Sequence, residues 1–198
     1  PTEGAVYLDG RMMAGRKPHQ MAKAGIARTF QNIRLFKKMT VLENVKVAFN
    51  LRMKYSGLQA VLRLPRYWKE EAEIDRKARE LLKVFHMEHL TDHIAENLPY
   101  GQQRKLEIAR ALATEPKVLL LDEPAAGMNP TETAELMEAI SIIRKDFGIS
   151  ILLIEHDMSL VMSICERLVV IDYGQIIAAG TPKEIASNPK VIGAYLGN

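Results

Sequence analysis

The chain has 198 residues, 47% hydrophobic and 26% charged, with a net charge of +3 and one cysteine. That is the composition of an ordinary globular domain with a sizeable core, and it excludes a disordered, collagen-like or disulfide-scaffolded chain. Despite a sequence pI near 9.0 the small net charge is no nucleic-acid footprint, the lone Cys165 fits a reducing compartment, and no apolar run approaches the ~20 residues that cross a bilayer.

In chain order, Ala5 to Leu8 predicts a strand that turns at Asp9-Gly10. Pro18 to Ala24 predicts a short helix, and Ile26 to Phe30 a strand ending at Gln31. Thr40 to Asn50 has Val41, Leu42, Val45 and Ala48 at helical spacing, with Thr40 and Glu43 placed as a capping box. From Leu51 the chain turns basic: Arg52, Lys54, Arg63, Arg66 and Lys69 interleave with Leu58, Leu62, Leu64, Tyr67 and Trp68. Glu70 to His86 then predicts a long amphipathic helix. A basic aromatic stretch is compatible with nucleic acid or membrane headgroups, but the expectation is a solvated charged face with its apolar side toward the core.

Gly101 to Thr114 predicts a helix whose apolar face is Leu106, Ile108, Ala109, Leu112 and Ala113, with Arg104, Lys105, Glu107 and Arg110 largely off it. Gly101 and Gln102 fall at its N-terminus, where free amides and the helix dipole favour an anion. Val118 to Leu121 is an unbroken apolar run, predicting a strand buried on both faces that ends in Asp122-Glu123-Pro124. Ligands of open α/β sheets sit beyond the carboxyl ends of strands. An aspartate there can hold Mg²⁺ on a phosphate, and a glutamate beside it can orient or deprotonate water. The plainer alternative is that Asp-Glu-Pro caps a strand and opens a turn. Thr131 to Asp146 predicts a helix capped by Thr131 and ended at Gly148. Ser150 to Ile154 predicts a second buried strand, running into Glu155-His156-Asp157. A helix over Met158 to Cys165, a hairpin-like pair around Tyr173-Gly174 and two short helices close the chain. No internal repeat appears.

Taken together, LPYGQQRKLEIARAL resembles the signature loop of ATP-binding cassette (ABC) ATPases, VLLLDEP their Walker B strand and AAGMNP their D-loop. The Tyr-Gly-Gln-Gln form, Asn129-Pro130 and the closing GTPKEIASNPKVIGAYLG are similar to ATPase subunits of branched-chain amino acid importers. The resemblance covers the whole chain. It implies an α/β, P-loop NTPase-like (RecA-like) fold, with a mostly parallel sheet in residues 1–31 and 98–198 and a helical subdomain inserted at about 32–97. It also implies an ATP-hydrolysing importer subunit with ATP and Mg²⁺ as cofactors. In that frame Asp122 holds Mg²⁺ through water, Glu123 is the general base and His156 contacts the γ-phosphate and the attacking water. Gln31 ligates the metal and links it to a membrane subunit. Leu98, Gly101, Gln102 and Asn129 belong to the signature and D-loop face that completes a partner's nucleotide site.

The expected partners are a second ABC ATPase, identical or not, transmembrane permease subunits and, indirectly, a periplasmic substrate-binding protein; nucleic acid is not expected. The expected location is the cytoplasmic face of the inner or plasma membrane, held through the permease; Leu35, Phe36 and Met39 are apolar candidates either for that docking or for the core. Three departures stand out. No G-x-x-x-x-G-K-[ST] loop occurs, Gly15-Arg16-Lys17 being the nearest imitation, so the expectation is a sequence lacking the family's N-terminal strands and phosphate loop. Pro99 replaces the signature serine and Tyr100 its first glycine, which leaves backbone donors to serve the site. Asn129 stands where many relatives have aspartate. Rival readings are an ATPase of lipid or lipopolysaccharide export, a non-catalytic interaction module, and a soluble ABC protein of translation or DNA repair.

Overall fold

Tyr7–Leu8 (β1) and Arg11–Met12 (β2) fold back on each other because Asp9 and Gly10 both take positive φ, 48° and 74°, the turn geometry that matches the twist of paired strands. The computed structural model describes residues 3–52 and 57–196. Its first unit runs to Ile154 and its second from Glu155.

Pro18–Ala24 forms α1, and Ile26–Arg28 forms β3. Thr40 caps α2 (Val41–Ala48), and Glu43 returns the bond to the Thr40 amide, as the capping-box spacing predicts. Buried Asn44 on α2 bonds both ways to Phe36 and also donates to the Thr40 carbonyl. One side chain thereby fixes the loop that leads into its own helix. Gly57–Val61 forms α3, and α4 spans Pro65–Val84, five residues longer at its start than the predicted Glu70. Pro65 explains the early start, since its fixed φ suits the first helical position. Ile74, Ala78, Leu81 and Leu82 bury one face of α4. The apolar residues before it do not follow: Val61, Leu62, Leu64 and Trp68 are exposed, which corrects the expectation of a core-facing apolar side. Lys54 and the side chains of Arg52 and Leu58 lie outside the described residues.

Tyr100–Leu112 forms α5, which packs on α2, α4 and β3. Val118–Asp122 (β4) is the middle strand of a three-stranded parallel sheet, flanked by β3 and by Ser150–Ile154 (β5). The register sets Ala27, Leu119 and Ile151 abreast and Asp122 opposite Ile154. Between β4 and β5 runs α6 (Pro130–Phe147). Its cap is Asn129, in a capping box with Glu132, and not Thr131 as predicted. With Pro130 at the first helical position, the cap falls on the residue before it. Leu119 and Leu121 are buried as expected, but Leu152 and Ile154 on β5 are exposed. Among the described residues, then, the face of β5 that carries Leu152 and Ile154 is uncovered, and one of its edges is unpaired.

In the second unit, Asp157 caps Met158–Ile164 (α7). Leu168–Asp172 (β6) and Gln175–Gly180 (β7) form the expected antiparallel hairpin. Pro182–Ala186 (α8) and Pro189–Val191 (α9) follow, and Ile185 and Val191 pack with Val170 into a small core.

Candidate active site

The carboxyl edge of β4 carries Asp122, and Glu123 follows it in a left-handed conformation, φ 43°. A side chain with a Cβ adopts that conformation at a cost, and it is held here by surrounding bonds. The Glu123 amide donates to the Ile154 carbonyl at 2.9 Å, and the Ala126 amide donates back to the Glu123 carbonyl. On the other flank, the Thr29 amide reaches the Leu120 carbonyl at 3.0 Å and prolongs the β3–β4 pairing toward Gln31. Gln31 Nε2 then donates to Glu123 Oε2 at 3.0 Å. Beside them Arg28 donates to Asp122 Oδ2 at 2.9 Å across a partly exposed pair. Gln31, Asp122 and Glu123 thus meet at one sheet edge, as the chain order suggested.

The predicted polar face of α5 is corrected. Arg104, Lys105 and Glu107 are buried. Arg104 donates to the carbonyls of Phe30 at 2.5 Å and Gln31 at 2.6 Å, and to Glu107 Oε2 at 2.8 Å. The second Glu107 oxygen accepts from the Arg34 amide at 3.0 Å, and Arg110 donates to the Arg34 carbonyl. Burial pushes the Arg110 guanidinium below its ordinary value, against the pull of Glu107. These three residues hold the backbone on both sides of Gln31, and helical periodicity did not single them out. The usable signal was an Arg–Glu pair three residues apart on one helix.

At its other end, α5 begins after Pro99, which offers no side-chain cap. The first amides of the helix are therefore available to an anion. Leu98 is buried, and its carbonyl accepts from Gln103 Nε2 at 2.8 Å. A Cβ added at Gly101 would collide with the Glu132 carboxylate, the same group that bonds the Asn129 amide at 3.0 Å. Gly127 takes φ 76°, and a Cβ there would lie 3.3 Å from the Tyr100 ring. Glu132 thus lies against Gly101 and bonds the Asn129 amide, while the Asn129 side chain itself is engaged in capping α6 and Gln102 is partly buried. His156 lies in the second unit, exposed, its amide donating to Glu155 Oε2 at 3.3 Å. Next to it the Ser159 hydroxyl and Leu160 amide hold the Asp157 carboxyl below its usual range.

Mg²⁺ needs hard oxygen donors and retains several waters. Asp122 supplies a carboxylate, and Gln31, whose nitrogen turns to Glu123, has its carbonyl oxygen to offer. Among the described residues no three His, Cys, Asp or Glu side chains gather as a metal cage. The donor set fits an ion held chiefly by water and phosphate. The uncapped α5 end offers amides to an anion such as a phosphate.

A family model described as ABC transporter matches residues 1–126, and one described as branched-chain amino acid ATP-binding cassette transporter matches residues 175–198. The chain is 45% identical to the high-affinity branched-chain amino acid transport ATP-binding protein BraF of Pseudomonas aeruginosa, covering all of this chain and 77% of that one. It is 47% identical to LivG of Salmonella typhimurium, with the same coverage. The lipopolysaccharide export ATP-binding protein LptB of Haemophilus influenzae is 31% identical over 98% of this chain and 75% of its own. Among solved structures, an ATP-binding cassette of an ABC transporter in its ADP conformation superposes with a TM-score of 0.79 at 34% identity, covering 99% of this chain and 78% of that one. With its parallel sheet, its Asp-Glu strand end and these matches, the chain belongs to the ABC transporter family, as one of its ATP-binding cassettes.

Proposed function

We propose that the chain is the ATP-binding, ATP-hydrolysing part of an ABC importer subunit for branched-chain amino acids. The observation that carries the reading is the Gln31–Glu123 bond of 3.0 Å beside Asp122 at the end of β4. It supports Glu123 as the general base, since a group bonded to an amide at the sheet edge can swing to a water without crossing the core. Asp122 and Gln31 would hold Mg²⁺, with Asp122 acting through water. When bound, Mg²⁺ neutralises charge on the β- and γ-phosphate oxygens. His156 would position the γ-phosphate and water. Leu98, Gly101, Gln102 and Asn129 would face the nucleotide of a second cassette, for which the free α5 amides are the donors.

The division into a core of residues 1–31 and 98–198 with a helical subdomain at residues 32–97 belongs to the same reading. So do permease subunits at the membrane's cytoplasmic face and, through them, a periplasmic substrate-binding protein. The importer assignment is favoured over lipid export by 45–47% identity to BraF and LivG against 31% to LptB. The test is Glu123→Gln in a form that carries the phosphate loop. ATP binding stays while turnover falls by ~10²–10⁴-fold, the usual contribution of a general base. Turnover at the parental rate rules out Glu123 as the base.

A further inference from the structure

The corner between α3 and α4 exposes what a core should hide. Val61 is 80% exposed, Leu62 59% and Trp68 55%, with Leu64 beside them. The corner is a built turn. The Arg63 amide donates to the Ala60 carbonyl and the Leu64 amide to the Gln59 carbonyl, both at 3.1 Å. These bonds close a helix end with Arg63, not glycine, in the left-handed position at φ 46°. That conformation is unfavourable for a residue with a Cβ, and here it sets the Arg63 guanidinium 6.0 Å from the centre of the Trp68 ring. The charge is one-sided. From Leu51 to Lys69 the sequence has five basic residues and no acidic one. Arg66 is paired with Glu70, while Arg63 and Lys69 are exposed.

We infer that this corner docks directly on an anionic lipid surface, Trp68, Leu62 and Val61 entering the headgroup region and Arg63 and Lys69 meeting lipid phosphates. The chemistry separates this occupant from others. A second copy of the chain would bring like charge against like charge. Nucleic acid rewards phosphate contacts and aromatic stacking, and it leaves aliphatic Val61, Leu62 and Leu64 unanswered. An interfacial site needs all three elements: cations, an aromatic ring with a polar edge, and aliphatic bulk. The inference is independent of the proposed catalytic roles.

Trp68 is the only tryptophan of the 198 residues, so its fluorescence reports the corner alone. The protein, in a form that carries the phosphate loop and no further tryptophan, is mixed without permease with vesicles of phosphatidylcholine or of phosphatidylcholine with phosphatidylglycerol. Fluorescence and co-flotation are then followed. A blue shift and flotation are expected with the anionic vesicles only, weakening as salt is raised. Arg63→Gln with Lys69→Gln reduces partitioning by roughly 25-fold, about fivefold for each cation near an anionic leaflet. Leu62→Asp abolishes it. Arg63→Lys, which keeps the charge, retains it. Trp68→Phe still floats but gives no fluorescence change. The inference is overturned if the protein ignores anionic vesicles, or binds both kinds equally, or if the charge-removed variant floats like the parent. It is equally overturned if Trp68 is silent on vesicles and shifts only when permease is added, since the corner would then be a protein contact.

Discussion

Arg104 is fully buried, yet it faces two backbone carbonyls as well as a carboxylate, and its Nε has no partner. Removing one member of a buried ion pair strands the other, at a typical cost of ~3–5 kcal/mol. In a form that carries the phosphate loop, Arg104→Met should therefore lower stability by about that amount in a denaturant titration. Adding Glu107→Leu should recover much of the loss, because the stranded carboxylate is gone. Activity should not recover with it. The carbonyls of Phe30 and Gln31 still lack their donor, so Gln31 is no longer held at Glu123 and kcat stays low. Full recovery of kcat in the double variant would show that Arg104 serves folding alone. At the start of α5, Pro99 offers no side-chain cap. In the same loop-bearing form, Pro99→Ser should raise stability by ~0.5–2 kcal/mol, the value of an N-cap hydroxyl, and change ATPase activity only within one hydrogen bond's worth, ~1–3 kcal/mol. An activity rise of several orders of magnitude would mean that backbone donors do not suffice. Asp122 and Glu123 were legible in the sequence because they close the apolar run Val118–Leu121, whereas Gln31 follows Ile26-Ala27-Arg28-Thr29-Phe30 and stood out only through the resemblance to ABC ATPases. Arg104 and Glu107 were not, because their partners lie 73 and 74 positions away in Arg34 and Phe30. Helical periodicity knows only neighbours along one helix.

The helices of this chain lean on carboxylate caps. Glu43 is held below its ordinary 4.5 by the Thr40 amide and hydroxyl, and Glu184 by the same two groups of Thr181. Asp157 is held below 3.8 by the Ser159 hydroxyl and the Leu160 amide. A depressed carboxyl pKa in the folded state contributes stability above the unfolded value, and that contribution is lost as pH falls through the folded value. Stability should thus be flat with respect to these groups from neutrality to the mid-4 range and fall below it. Glu43→Gln should flatten part of that acid limb while leaving the fold intact at neutral pH. An unchanged acid limb in helicity against pH would show that the cap does not titrate with folding. The α2 box was legible because Thr40 and Glu43 stand three apart before an apolar run. The α6 cap was misplaced because Thr131 is itself a good capping residue, and the deciding fact was Pro130. The α4 start was missed because Leu51 to Lys69 follows no helical period, and Leu51, Leu62 and Leu64 are exposed.

At the scale of the whole molecule, β5 is the element whose sequence and surroundings disagree. Ser150 to Ile154 has the unbroken apolar run of an interior parallel strand, but Leu152 is 59% exposed and Ile154 57%. One edge of β5 bonds to β4, and among the described residues no strand pairs with the other. The fold was legible strand by strand because each run names its own burial. Solvent exposure was not, because a run of apolar residues cannot report whether its second neighbour is present. The chain spans 77% of the length of BraF and LivG. An unpaired, apolar strand edge is a template for association with other chains. The 198-residue chain expressed alone should therefore aggregate or melt without cooperativity, and show no ATP affinity. A form that carries the phosphate loop should melt cooperatively and bind ATP, since that loop supplies the lysine and amides that cradle phosphate. Calorimetry and a nucleotide titration on both forms decide the matter. A cooperative melt with micromolar ATP binding by the 198 residues alone would mean that β5 is content as an edge and that another part of this chain holds the phosphates.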